Sequence, residues 1–211
     1  RPEGDKQLRA VGHYWERLVS GYDVPEVSRS KERKGGKIRL GIVSANMRDN
    51  GIGRWIVGLA DAIDRDRFDV TIIRPPTGED DITARIDDHA DLVVPLPLDP
   101  LHSARVIAGL DLDVLHYVDP QSDAYTMMLA SWRLAPLQIS GGGIAATSGL
   151  SNIDYHLIAE DWETAGGEKR FSEKLIRLPG LFVNASPPED VDMTPSELQR
   201  RWRLAQDRNT Y

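Results

Sequence analysis

KIRLGIVSANMRDNGIGRWIVGLADAIDRDRFDVTIIR, residues 37–74, decides the fold. Its opening run, 37–45, is apolar without helical spacing and reads as a buried strand. Residues 54–65 then place Ile56, Leu59, Ala60 and Ile63 on one helical face. Residues 68–74, FDVTIIR, are a second strand, stopped by Pro75-Pro76, which offer no backbone donors. Strand, helix, strand within one short stretch is a parallel crossover unit.

The alternation continues downstream. Helical spacing covers 80–90, 100–110 and 122–135, and the helix at 100–110 carries Pro100 in its first turn, where the missing N–H costs nothing. Strands are predicted at 91–97, 113–119, 136–140 and 154–160, and residues 167–179 combine a turn or short helix with an extended exit. Such alternation predicts a doubly wound α/β fold: a mainly parallel, Rossmann-like sheet of five to seven strands, with helices on both faces. Upstream, Leu8, Val11, Tyr14, Trp15, Leu18 and Val19 form an apolar stripe, an extra N-terminal helix over 5–19, and polar residues 21–36 read as a linker. At the other end, Thr194, Pro195 and Glu197 carry the start signal of a helix over 194–205. The division expected is 1–36 for helix and linker, 37–186 for the Rossmann-like unit, and 187–211 for a segment leading to a further half. The chain begins at Arg1-Pro2 rather than methionine, and we read it as a piece of a longer polypeptide.

Composition excludes several chemistries. The 211 residues are 40% hydrophobic and 28% charged, and none is cysteine. Thiolate catalysis, disulfides and iron–sulfur clusters are therefore out, and a cytoplasmic location is expected. A net charge of −7 opposes nucleic-acid binding, and the one basic cluster, Lys31 to Lys37, is broken by glycines. No apolar run is long enough to span a bilayer, and charges interrupt the first residues where a signal peptide would need an apolar core. The five histidines, at 13, 89, 102, 116 and 156, lack metal-site spacing, so no metal is implied. His116 and His156 fall inside strands and read as interior residues.

On a parallel sheet, ligands bind at the carboxyl ends of the strands. Three loops occupy that edge: Ala45–Gly53, Asp119–Asp123 and Ser140–Ser151. In SGGGIAATSG, residues 140–149, Gly141, Gly143 and Ala146 fit the dinucleotide fingerprint, and Glu160 follows at the customary distance. A true fingerprint passes at once into a helix facing the pyrophosphate. ATSGLSNID has no such periodicity, and the match is a decoy. The stretch Asn46–Arg54 either lets a ligand approach the backbone and a helix N-terminus, or is a turn sharpened at Asn50-Gly51. Asp119 either acts as a base or simply ends its strand.

Taken together, the pieces resemble the catalytic region of the O-GlcNAc transferase-like glycosyltransferases, including the bacterial adhesin N-glucosyltransferases. The resemblance rests on Lys37-Ile38-Arg39-Leu40-Gly41-Ile42-Val43-Ser44, Asp66-Arg67-Phe68-Asp69-Val70-Thr71, Leu112-Asp113-Val114-Leu115 and Leu134-Ala135-Pro136-Leu137-Gln138. Gly143, Thr147, Ser148 and Gly149 followed by Asp154-Tyr155, and Phe171-Ser172-Glu173-Lys174-Leu175-Ile176-Arg177-Leu178-Pro179, complete it.

The resemblance implies the N-terminal half of a GT-B fold, with a UDP-sugar as donor substrate, a protein or peptide as acceptor, and no further cofactor. It implies that Gly143, Thr147, Ser148 and Gly149 contact substrate, and Asp119, at the same sheet edge, is expected to do so as well. The family's spaced histidine pair falls at Asn50 and Arg54, and its tyrosine or histidine and its proline fall at Ile144 and Ala145. Neither Asn50 nor Arg54 titrates near neutral pH, so Arg54 is expected to act through its charge. A module that has lost catalysis and binds a partner protein is the alternative.

Overall fold

The computed structural model describes residues 2–29 and 35–180, with 194, 196, 197 and 200. Helix α1 spans Pro2–Val19. Strands β1 (Ile38–Val43), β2 (Phe68–Arg74) and β3 (Leu92–Pro95) alternate with α2 (Gly51–Ala62), α3 (Asp81–Asp88) and α4 (Pro100–Gly109). There follow β4 (Val114–Tyr117), α5 (Ala124–Ala130), β5 (Leu137–Ser140), β6 (Tyr155–Ala159) and β7 (Lys174–Leu178).

All seven strands are parallel, in the order β3-β2-β1-β4-β5-β6-β7. The period-two alternation of β1 explains why two helical layers are needed. Leu40 and Ile42 face α2 and α3 on one side, with Val70 and Ile72 of β2. Val43 belongs to the opposite layer with Ile73, Leu115 and Tyr117, under α4, α5 and the end of α1. Ile42, Val43, Ile72, Ile73, Leu115 and Tyr117 have no exposed surface, and burying each such side chain contributes roughly 1.5–3 kcal/mol. From β1 the chain winds outward to β3, then returns to start β4 on the other side of β1. The strand order therefore reverses between β1 and β4, and a crevice opens at their carboxyl ends.

Helix α1 packs on the edge of this unit. Gly12 and Gly149 approach so closely that a Cβ on Gly12 would overlap the Gly149 carbonyl. Arg9 donates to the carbonyls of Lys169 (2.5 Å) and Phe171 (3.1 Å). Glu16 accepts from the backbone and hydroxyl of Ser151 at 2.5 and 2.7 Å.

Two stretches differ from the sequence reading. The helix expected over 122–135 is shorter. A 3-10 turn at Pro120–Ser122 precedes it, Asp123 caps it by accepting from the Thr126 N–H, and it stops at Ala130. The segment before Pro136 is disfavoured for helix, and buried Gln138 holds it open. The Gln138 side chain accepts from the Leu134 N–H and donates to the Trp132 and Asn152 carbonyls. Arg133, nearly free of solvent, then turns inward to a forked pair with Asp154. The exit predicted over 167–179 becomes a 3-10 turn at Gly167–Arg170 and a full seventh strand beside β6.

Thr194 and Glu197 make the reciprocal bonds of a capping box. The remainder of the helix expected over 194–205, and Lys31 to Lys34 of the basic cluster, lie outside the described residues. Among the described residues, no helix is long and apolar enough to cross a membrane.

Candidate functional site

The crevice is built from the turn after β1. Ser44 accepts from the Asn46 N–H at 2.9 Å, and the Asn46 carbonyl accepts from the Arg48 N–H at 2.8 Å. Asn50 then starts α2: its Oδ1 accepts from the N–H groups of Ile52 and Gly53 at 2.9 and 3.0 Å. A side-chain cap of this kind stabilises a helix by about 1 kcal/mol. Asp80 ties the turn to α3, accepting from the Asp49 N–H at 2.7 Å while capping its own helix. That backbone donor, with those of Thr83 and Ile82, holds the Asp80 carboxyl below its ordinary pKa despite some desolvation.

Facing this turn is the loop after β5. Gly142 and Gly143 present no side chains, and the geometry requires that. A Cβ on Gly142 would overlap the Trp55 ring, and one on Gly143 would lie 2.6 Å from Asp119 Cβ and 3.3 Å from Ile52 Cδ1. Between the two walls is an open cleft of about 740 Å3, bordered by Asn46, Arg48, Asp49, Asn50, Trp55 and the two glycines. Beneath it lies His116, whose ring stands edge-on to Trp55 and bonds the Gly141 carbonyl at 2.7 Å. Full burial lowers the His116 pKa to about 4, although the Gly141 bond opposes the shift.

Asp119, at the end of β4, has no exposed surface. Burial raises its carboxyl pKa, opposed by hydrogen bonding from Ser44, Asn46 and Ser122. Its Oδ2 accepts from Asn46 Nδ2 at 2.6 Å, while its Oδ1 has no partner of good geometry. It supports the cleft wall from behind.

The sequence-predicted residues separate into two groups. Asn50, Gly143 and Asp119 converge on the cleft, Asn50 as the helix cap and Asp119 beneath the surface. Arg54 sits at the rim, where its Nε and Nη2 both bond Asp49 Oδ1 at 2.9 and 2.7 Å. Thr147, Ser148 and Gly149 are held elsewhere. Thr147 Oγ1 donates to Glu173 Oε2 at 2.7 Å, and the Ser148 N–H donates to Glu173 Oε1 at 2.7 Å. The Ser148 hydroxyl bonds the same carboxylate. Gly149, at φ +76°, packs against the backbone of α1. Ile144 and Ala145 do not border the cleft.

Sequence reasoning did not single out Asn46, Trp55 or Glu173. Glu173 lies 26 and 25 positions from its partners Thr147 and Ser148, too far for a local pattern to show the pairing. Trp55 was legible only as one more apolar residue of α2.

No helix follows the glycines: residues 141–154 run in loop and turns to β6. The pyrophosphate-facing helix of a dinucleotide fingerprint is thus not formed there. Among the described residues no cluster of His, Asp or Glu has the form of a metal site. The cleft offers amides, a guanidinium and an indole edge. Its one carboxylate, Asp49, is engaged with Arg54. That set suits hydrogen bonding to a polyhydroxyl or phosphorylated ligand better than proton abstraction.

No family model matches the chain, and no curated protein matches it. Among solved structures, a mutant of the O-GlcNAc transferase of Thermobaculum terrenum superposes with a TM-score of 0.71 at 21% identity. The match covers 89% of this chain and 37% of that one, so the chain spans little more than a third of that neighbour. A mycobacterial quinone oxidoreductase matches at a TM-score of 0.33 and 17% identity, over 80% of this chain and 44% of its own. The chain shares the fold of the part of that neighbour on which it superposes.

Proposed function

We propose that this chain is the N-terminal half of a glycosyltransferase that moves a sugar from a UDP-sugar to a protein side chain. The observation that supports this most is the cleft at the β1–β4 reversal, bordered by Asn46–Trp55 on one side and Gly142–Gly143 on the other, on a sheet that superposes on the O-GlcNAc transferase fold. In this reading the half described here supplies the acceptor-side wall. The nucleotide is held mainly by a second half that these 211 residues do not include. Inverting transfer needs the sugar placed for in-line attack and charge neutralised on the departing diphosphate. Arg48, exposed at the cleft mouth, is a candidate for the second task.

A second reading, a partner-binding module without catalysis, is favoured by one observation. No residue bordering the cleft is a histidine or glutamate, and its one aspartate is ion-paired.

Transfer assays separate the two. The chain alone is expected to bind UDP weakly and to turn over no UDP-sugar, while the parent polypeptide transfers radiolabelled hexose to a protein acceptor. A parent that binds no UDP-sugar removes the enzyme reading. NADH bound tightly by the chain would reopen the dinucleotide-fingerprint reading of Gly141, Gly143 and Ala146.

A further inference from the structure

Asn46 is held on every side but one. Its N–H and carbonyl are engaged within the turn, the carbonyl also accepting from Asn50 Nδ2 at 3.3 Å. Its Nδ2 carries two hydrogens, and both have destinations: Asp119 Oδ2 at 2.6 Å and Ser122 Oγ at 3.2 Å. With both hydrogens so placed, the nitrogen is the end of the amide turned toward Asp119 and Ser122. The amide oxygen is then directed away from Asp119. It has no hydrogen-bond partner among the described residues, and Asn46 borders the cleft. Opposite stand Gly142 and Gly143, which border the same cleft and pack so closely on Trp55 and Asp119 that neither has space for a Cβ.

We infer that Asn46 presents its side-chain carbonyl to the cleft as a fixed hydrogen-bond acceptor, oriented by Asp119, for a hydroxyl or amide donor on the ligand. Asp119 is a positioning residue here, because it has no exposed surface and acts through Asn46. An asparagine in solvent turns its amide either way and pays for the choice in entropy. This one is pre-set, which favours a donor over a carbonyl or phosphate oxygen at that point. The inference rests on the glycosyl-transfer reading only for the source of the donor: a sugar hydroxyl, or the hydroxyl or amide of an acceptor side chain.

The test is side-chain amide NMR on the 15N-labelled chain, titrated separately with UDP-glucose and with a serine- and threonine-containing peptide at millimolar concentration. The Asn46 Nδ2 hydrogens are expected to exchange slowly with solvent in the free protein, and one of the two probes is expected to shift their signals. The probe that does so identifies the source of the donor. Asn46→Ala weakens that probe about tenfold, as expected for one hydrogen bond. Asp119→Asn lets the amide turn over and weakens it comparably. Exchanging the pair, Asn46→Asp with Asp119→Asn, restores an oxygen facing the cleft and recovers most of the binding. A purely structural role would change the melting temperature of these variants but not the dissociation constant of the folded protein. Shifts at Trp55 and Gly142 with unchanged affinity in Asn46→Ala overturn the inference and leave the glycosyl-transfer reading standing. No shift at the cleft with either probe overturns the inference alone, and the transfer assay on the parent polypeptide decides the glycosyl-transfer reading.

Discussion

Thr147 and Glu173, on separate segments, are joined by a buried 2.7 Å hydrogen bond. That bond turns the second part of the glycine-rich loop away from the cleft and onto the approach to β7. Thr147 Oγ1 also accepts from the N–H groups of Gly149 and Ser172. Glu173→Ala would leave the Thr147 hydroxyl and both polar groups of Ser148 buried without their acceptor. We expect a loss of about 3 kcal/mol or more in urea unfolding, with little change in ligand affinity of the protein that remains folded. A stable variant with weakened ligand binding would return Thr147 and Ser148 to the site.

Gly142→Ala tests the wall of the cleft. At φ +107° a side chain is strained, and its Cβ would lie 2.6 Å from Trp55 Cζ2. The strain costs on the order of 1–3 kcal/mol, and the indole has to move. Tryptophan emission should therefore change and the cleft should close to ligand. An unaltered emission spectrum and unchanged affinity would show that Trp55 does not bound the site.

For Arg54 the ion pair with Asp49 gives a modest expectation. The Asp49 side chain is 58% exposed, and such pairs contribute less than about 1 kcal/mol. Arg54→Ala should leave the unfolding midpoint nearly in place. Transfer assays on the same variant of the parent protein read the other role. A loss on the order of a hundredfold identifies a guanidinium that leaves Asp49 for the departing diphosphate, with Arg54→Lys recovering part of it. Unchanged turnover leaves Arg54 as half of a surface pair.

Stability should rise with pH between about 4 and 6.5. Burial lowers the His116 pKa from 6.5 to about 4, and it lowers that of His156 as well, where Glu173 opposes the shift. In that window the unfolded chain binds more protons than the folded one. The stabilisation is therefore complete above 6.5 and is lost as pH falls through the window. For His116 the effect is on the order of 3 kcal/mol. Urea midpoints at pH 7, 5.5 and 4.5 measure it, and His116→Gln should flatten the profile. Asp119, whose pKa burial raises, contributes the opposite slope, so the comparison with His116→Gln is decisive: a profile that this substitution leaves unchanged would mean that the His116 ring is already charged in the folded protein.

What the sequence determined by itself is whatever is written in local periodicity. Ile56, Leu59 and Ala60 recur at helical spacing, and the buried runs of β1 and β2 lie close to their predicted limits. A parallel sheet follows, because strands joined through helices have no other short way to pair. The decoy character of Gly141 and Gly143 was legible for the same reason, since a missing helix is a missing period.

Tertiary structure alone decided where loop side chains point. A turn has no repeating face, so the direction of each residue depends on partners remote in sequence. Thr147 and Ser148 look like cleft residues until Glu173 claims them, and Gly149 until α1 does. The end of α5 was hidden likewise, because the stop signal is the Gln138 side chain reaching back to Leu134 and Trp132. The orientation of Asn46 belongs to the same class. An amide has two nearly equivalent ends, and only Asp119, brought alongside by the pairing of β4 with β1, distinguishes them.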